Sequence, residues 1–560
     1  MNTQILNTQA VLVVGGGPVG LLMGIQLQRF GIAHRLIEKR LERQPFSKAF
    51  AIHSRSLEVF EDIGVLVQVL ERAARVKVMN IYSNKKRLIN YNFGLLDVPY
   101  AFAASIPQNI VEEILEAHYV KLGGRIERGV ELISLTQDEK SAKVVLAEQN
   151  GRHNPLEFSW VVGCDGGQSH VREQLGVPFE GSVYDRPYII ADGTLTWNGD
   201  HSSGHVFTAG DGYMMLFPLP QGRHRVVIDC KDHALQTADL TSELVNQRLR
   251  ERGFEDVVFS NPVWLSITTF QHRMAKHYRI GRAFLAGDAC HVHSPIGGQG
   301  LNTGLQDAYN LSWKIAHVVN LGGSDALLES YQEERRPVAE TVLIKTSQQM
   351  RMLNMKNPLL RVLRNALVPR IAMSRGFQLK VMGQAAGFQV SYRPSRLTAR
   401  NDSTKTLAPT AGLRMLDGAL SDRQGENRRV FELMKGTHYS LLLFDGAGSS
   451  AETLLLRQSS QLHKLHGHKK DFLQTYRIVT TPDQPATNTV GVELFHDNGA
   501  ALHRMLDANN GGLFLVRPDG YIALKAGLEE LHLVTAYLEA LYGVEEQPWG
   551  TPTPVLTQPA

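Results

Sequence analysis

A doubly wound α/β fold is predicted for this 560-residue chain by three transitions from strand to loop. The β-branched run AVLVVG enters a glycine cluster at Gly15, Gly16, Gly17 and Gly20, WVVGCDGG runs into Asp165, and RAFLAGD runs into Asp288. Each is a short apolar segment of the kind buried in a parallel sheet. Each ends in the residues found where ligands meet the carboxyl ends of such strands.

Length and composition bound the reading. A chain of 560 residues exceeds one compact core and implies two or three domains. Its formal net charge of +4, with no RNA- or DNA-binding motif, gives no case for nucleic acid. The start, MNTQILNTQA, has neither the basic flank nor the apolar centre of a signal peptide, and no segment reaches the roughly 20 apolar residues of a spanning helix. Three dispersed cysteines make neither a disulfide framework nor a zinc knuckle, so a soluble protein of the reducing cytoplasm is expected.

The first strand is followed by LLMGIQLQRFG at helical spacing, which puts GxGxxG between strand and helix. Gly15 permits the tight turn, Gly17 lets backbone approach a pyrophosphate, and Gly20 lets helix pack on strand, with Pro18 and Val19 between them. Phosphates then meet unpaired N–H groups at a helix N-terminus. Since a helix dipole contributes only about 0.3–1 kcal/mol per exposed charge, the rest of the nucleotide must also be gripped. HRLIEKR supplies a second strand ending in Glu38, placed to accept ribose hydroxyls, and Lys39 and Arg40 beyond it would suit a 2′-phosphate. NAD, NADP and FAD share this half-site, and these residues alone leave the choice open.

Asp288 narrows it. After this acid, Pro295, Gly297, Gly298, Gly300 and Asn302 form a loop of little bulk, and LNTGLQDAYNLSWKIAHVV continues as an amphipathic helix. A second helix N-terminus therefore faces the same crevice. The arrangement suits a diphosphate at Gly15 to Gly20, a polyol chain at Asp288 and a flat ring whose polar edge lies over the amides near Gly300, Leu301 and Asn302. FAD matches that description, whereas NAD has no ribityl chain for Asp288. Between the two motifs, Asp165, Gly166, Ser169 and Arg172 spell DGxxSxxR.

With GxGxxG first, DG in the middle and GD near residue 288, residues 8 to 400 resemble the single-component flavoprotein aromatic hydroxylases, the group of p-hydroxybenzoate and phenol hydroxylases. The resemblance implies a Rossmann-like FAD-binding domain in which Gly15, Gly17, Gly20 and Glu38 hold the ADP half and Gln108 contacts FAD. It also implies that Asp288 binds the ribityl chain and that Pro295, Gly298, Gly300, Leu301 and Asn302 line the isoalloxazine. Asp165 and Arg172 would support the pyrophosphate region, with a part in NAD(P)H binding. Lys48 stands where members commonly have arginine, and as a point charge it lacks the guanidinium fork. No second GxGxxG is present, in keeping with NADH or NADPH that docks transiently and leaves. In such enzymes O2 then forms a C4a-hydroperoxide that transfers hydroxyl to an electron-rich aromatic ring. The cofactor carries that chemistry, and the protein orients it and excludes water. No catalytic side chain is legible.

The remaining segments complete the organisation. CHVH, residues 290–293, offers neighbouring donors but no closed ligand set, so no metal is expected. HVFTAGDGYMMLFPLPQGRHRVVID reads as short strands of a sheet covering the flavin, with Tyr213, Met215 and Phe217 on one face as either cavity lining or plain core. Arg223 and Arg225 could pair with a substrate carboxylate, but solvent exposure is the expectation. Residues 341–401 hold no acid and could form basic amphipathic helices lying on a membrane surface, but burial of their methionines between domains is the reading favoured, with Pro358 and Pro369 expected to break the stretch into short helices. Beyond a linker at 396–410, the strands and closing helix of 411–560 resemble the thioredoxin-like tail of phenol hydroxylase and related longer members. That tail has no cysteine, so a structural or homodimerising role is expected rather than thiol exchange. The expected divisions are thus an FAD-binding domain at 1–180 and 276–395, an inserted substrate-binding β-sheet domain at 181–275, and the tail. The function expected is hydroxylation of a small phenolic or aromatic substrate with NAD(P)H and O2. Tailoring of a polycyclic or polyketide-like substrate and flavin binding without turnover are the alternatives.

Overall fold

The computed structural model describes residues 11–46, 49–83, 86–209, 212–294, 297–353, 357–399, 409–446, 472–480 and 492–542. Two compact units divide the chain. One is Met1–Gln28, Ala33–Tyr309 and Arg336–Gln389, and the other is Arg29–Ile32, Asn310–Arg335 and Val390–Ala560.

In the first unit, a six-stranded sheet has the order Arg279–Ile280, Ala283–Leu285, Trp160–Gly163, Val11–Val14, His34–Glu38, Ile126–Arg128. All neighbours are parallel except the outermost pair. Val11–Val14 is buried throughout, as an uninterrupted β-branched run in a sheet covered on both faces must be. Its neighbours are the next strand in sequence on one side and Trp160–Gly163 on the other, so the strand order reverses there. The crevice at the carboxyl end of Val11–Val14, where Gly15 begins, is therefore the topological switch point.

An eight-stranded sheet lies in the same unit. Its order is His291–Val292, Val258–Ala275, Phe179–Thr196, Arg223–Asp229, Gly212–Pro218, Gly204–Ala209, Val78–Ser83, Lys86–Asn92. It takes two strands from residues 78–92 as well as those of the inserted segment. Alternation along Gly212–Pro218 sends Met214 and Leu216 to one face, where Val245 and Leu249 of the helix Ser242–Glu251 cover them. Tyr213, Met215 and Phe217 go to the other, with Tyr188, Ile190, Val227 and Phe270.

The basic stretch forms the end of a long helix, Asp325–Leu353, then Pro358–Ala372 and Arg375–Ala385. Pro358 opens its helix at a position where the missing N–H is unneeded. Pro369, expected to break the stretch, lies inside a helix, and the interruption falls instead at Ser374, whose hydroxyl caps the N–H of Phe377. The expected burial of this segment is only partly realised. Met350 and Met382 are buried, but Met373 is 75% exposed and Leu359 is 79% exposed.

The second unit is built on a seven-stranded mixed sheet ordered Asn427–Arg429, Ala419–Ser421, Val492–His496, Leu473–Val479, Tyr439–Phe444, Gly512–Val516, Ile522–Ala526. Its centre has three parallel strands, beside which the last two run antiparallel. Trp313, Leu441, Leu515, Val534 and Leu538 share its core with the helix His532–Tyr542. No helix among the described residues is long and apolar enough to cross a membrane.

Candidate functional site

The glycine turn is built by close approach. Gly15 has φ +109°, and a Cβ there would lie 2.4 Å from the Cys164 carbonyl oxygen, so the first motif packs backbone to backbone on the strand leading to Asp165. A Cβ on Gly20 would lie 1.9 Å from the Gly15 oxygen, which fixes the start of the helix Pro18–Arg29. Gly17 differs: nothing lies within 4 Å of its Cβ position. Glu38 closes the turn from the next strand, its Oε2 accepting from the Gly16 N–H at 2.8 Å and its Oε1 from the Arg40 N–H at 3.0 Å. Lys39 is exposed beside it.

Val19 carries the turn to the third motif. Cβ atoms on Gly287 and Gly304 would meet its methyls at 2.8 and 2.9 Å, so the strand end at Gly287 and the helix Gln299–Leu321 both seat on it. Asp288, next in the chain, is exposed there. Beneath it, the buried carboxylate of Asp307 accepts from the Gly287 N–H at 3.1 Å and pairs with His291 Nε2 at 2.7 Å.

The DG motif braces this assembly. Asp165 accepts from Ser169 Oγ at 2.6 Å and from the Val171 N–H at 3.0 Å, and burial raises its pKa against those bonds. Arg172 donates to the carbonyls of Ala289 at 2.9 Å and Gly167 at 3.0 Å while its guanidinium lies 3.8 Å from the Phe179 ring centroid. Asp165 thus shapes the second motif from within, and Arg172 positions that motif against the third.

The glycine loop is pinned by Asn302. Its Nδ2 donates to Ala51 O at 2.8 Å and Gly298 O at 2.7 Å, and its Oδ1 accepts from the His53 N–H at 2.8 Å. Gly298, at φ +61°, comes so near Ala51 that a Cβ would sit 2.9 Å from the alanine methyl. Leu301 is buried, and Gly300 faces the ring of His293. His53 donates through Nε2–H to the Gly297 carbonyl, 2.7 Å away. Burial lowers the pKa of His53, and it pushes His293 down to about 4 with help from His291, so both rings are neutral near pH 7. Gln108 starts the helix Gln108–Lys121, its N–H reaching Ala49 O at 3.1 Å and its side chain donating to Glu112 at 2.8 Å. Lys48 and Pro295 lie outside the described residues.

The aromatic face adjoins this loop through Phe50, whose ring centroid is 5.0 Å from that of Phe217. Tyr213 and Met215 are buried in the same cluster. Arg225, expected at the surface, is 1% exposed. Its guanidinium donates twice to Asp192 at 2.7 Å and stands 5.0 Å from the Phe50 ring and 5.3 Å from Trp264. The fork-to-fork pair neutralises it, which is what permits burial of such a group.

Residues 8–346 match a family described as an FAD binding domain. The chain is also 32% identical to 6-methylpretetramide 4-monooxygenase of Streptomyces rimosus over 96% of its own length and 94% of the relative's. It belongs to the FAD-dependent monooxygenases. Pentachlorophenol 4-monooxygenase of Sphingobium chlorophenolicum is a second such relative, 30% identical over 95% of this chain and 96% of that one. Among solved structures, the anhydrotetracycline hydroxylase OxyS from Streptomyces rimosus superposes with a TM-score of 0.74 at 27% identity, covering 96% of this chain and 99% of that one.

For an FAD-dependent monooxygenase the residues present fit the cofactor. The open side of Gly17 leaves room at the helix N-terminus for a diphosphate. His53 Nδ1 and His293 Nε2, flanking the glycine loop, are buried without hydrogen-bond partners among the described residues, as expected of groups beside a ligand's polar edge. The metal reading is addressed by geometry too. Donor atoms of Cys290, His291 and Asp307 fall within 4.8 Å of one another. Yet the Asp307 oxygen that pairs with His291 also holds the Gly287 amide, so the cluster serves the strand end. Asp307 and His53 escaped sequence reasoning because their partners lie far away in the chain. An acid on the apolar stripe of a helix was the one available signal.

Proposed function

We propose that the chain consumes NADH or NADPH and O2 to place one oxygen atom on an electron-rich aromatic ring, the other leaving as water. The convergence of three sequence-distant segments on the crevice at Gly15 to Gly20 carries this reading. FAD, when bound, supplies hydride acceptance and oxygen activation. The amides around Gly17, Pro18 and Val19 hold its diphosphate, Glu38 and Lys39 face its adenosine ribose, and Gln108 contributes from the neighbouring helix. Asp288 holds the polyol chain, and the backbone at Gly298, Gly300, Leu301 and Asn302 bounds the ring system. Asp165 shapes the loop from which Arg172 reaches the third segment, and Arg172 keeps these segments in register. Tyr213, Met215 and Phe217 line the substrate space, where the paired Arg225 keeps Phe50 and Trp264 in place.

In this reading residues 1–180 and 276–395 make the FAD-binding domain, 181–275 the substrate sheet, 396–410 a linker and 411–560 a thioredoxin-like, homodimerising tail. A reducing cytoplasm suits the free thiols of Cys164, Cys230 and Cys290. A polycyclic substrate is the second reading, favoured by near full-length similarity to 6-methylpretetramide 4-monooxygenase and OxyS.

Oxygen uptake with NADH or NADPH across simple phenols and polycyclic phenols, with product mass, tests both. A gain of one oxygen atom is expected. Peroxide as sole product with every ring would overturn the proposal, and turnover of polycyclic phenols alone would select the second reading.

A further inference from the structure

The helix Pro358–Ala372 is turned inside out. Leu359, Leu363, Leu367 and Ile371 recur every four residues and so form one line along it. They are 79%, 54%, 49% and 57% exposed, with Leu360 and Val362 exposed beside them. The polar side chains of Arg364 and Asn365 point the other way. Arg364 donates to Met352 O at 2.8 Å and to Ser83 Oγ at 3.2 Å, and Asn365 donates to the same Ser83 Oγ at 3.1 Å. A helix on a water-facing surface arranges these classes oppositely. An apolar line this long, continued by Met373 and Phe377, forms a patch rather than scattered exposure.

The charged residues of these two helices and of the strand they pack on are all basic. Arg370, Arg375 and Lys380 are exposed along the two helices, and Lys86 and Arg87 are exposed on the edge strand Lys86–Asn92, against which both helices pack. Gln378 ties the second helix to that strand by donating to Asn90 O at 3.1 Å. The sequence carries no acid from residue 341 to 401 to balance them. Two copies of the chain meeting through this face would oppose like charges. An anionic lipid surface offers the complement in both respects, acyl chains for the leucines and headgroup phosphates for the arginines and lysines.

We propose that this face, helix Pro358–Ala372 with the start of Arg375–Ala385, docks the protein peripherally on anionic membrane surfaces. The apolar line inserts at the headgroup boundary, and the basic groups around it set the preference for negative lipid.

FAD-loaded protein is co-sedimented with phosphatidylcholine vesicles and with vesicles of phosphatidylcholine and phosphatidylglycerol. Binding to the second only, weakened by added salt, is expected. Leu363→Ser combined with Leu367→Ser should lower the partition coefficient at least about tenfold, and Arg370→Gln about fivefold. Bound-flavin absorbance and melting temperature, unchanged in both variants, confirm that the fold is intact. Failure to sediment with phosphatidylglycerol vesicles, or sedimentation indifferent to these substitutions, would overturn the proposal. So would sedimentation velocity showing a dimer that the leucine substitutions split, since the face would then be covered by a second copy.

Discussion

Gly17 and Gly20, three residues apart in one turn, are under opposite constraints. A methyl at Gly20 collides with the Gly15 carbonyl, whereas one at Gly17 points into open space. Gly20→Ala should therefore lower the melting temperature markedly. Gly17→Ala should melt like the parent but lose FAD affinity about tenfold or more, since the methyl occupies the diphosphate's approach. Flavin absorbance per protein and a melting curve separate the two. Asp288→Ala, an exposed change, should likewise spare the fold while the protein is isolated largely free of flavin; full FAD occupancy would remove Asp288 from the site. His293 gives a pH signature. Its pKa is about 4 in the folded chain and 6.5 ordinarily, so between those values the unfolded state binds the extra proton. The stabilisation is complete above pH 6.5 and is lost as pH falls toward 4, by up to about 3 kcal/mol. Denaturation at stepped pH should show His293→Asn with a flatter acid limb than the parent.

Elements were legible where local pattern sufficed. The strands at Val11–Val14, Trp160–Gly163 and Ala283–Leu285 show β-branched and apolar runs, and the C-terminal strands show theirs. What joins elements was not, because it depends on pairs remote in the chain. The tie between the glycine loop and the segment Ala51–His53 spans about 250 residues and rests on the side chains of Asn302 and His53. Arg225 looked like any arginine in an alternating strand until Asp192 on the adjacent strand was placed opposite it. Asn302→Leu fills the same volume but strands the His53 amide and two carbonyls. It should destabilise by about 3 kcal/mol and weaken flavin retention, read by denaturant titration and by absorbance. A loss below about 1 kcal/mol would mean that water replaces those bonds.

At the scale of the whole molecule, both units bury ion pairs. The second unit buries a network in which Glu334 accepts from Lys314 at 2.8 Å, Arg517 at 2.6 Å, Asn310 at 2.7 Å and Ser395 at 2.6 Å. Burial alone would raise the Glu334 pKa, but the charges of Arg517 and Lys314 outweigh it and hold the carboxyl well below its usual range. Burial lowers Lys314 to about 8. Glu334→Ala would leave Lys314 in the interior with the Asn310 amide oxygen but without its carboxylate, and Arg517 with Asp519 alone, and should destabilise this unit by about 3–5 kcal/mol, visible as a lowered denaturation midpoint. None of this was readable from the sequence, where these residues sit in unremarkable charged helices and strands.

The three thiols, all enclosed and in the first unit, have a consequence for durability. Any cycle that ends in hydrogen peroxide instead of product exposes the catalyst to its own waste, and the residue class most open to such attack is an accessible thiolate. With Cys164, Cys230 and Cys290 buried, and the Cys164 sulfur held protonated by its surroundings, that target is absent. Oxidative wear then falls on exposed thioethers, which among the described residues include Met373 at 75% and Met505 at 41% exposure.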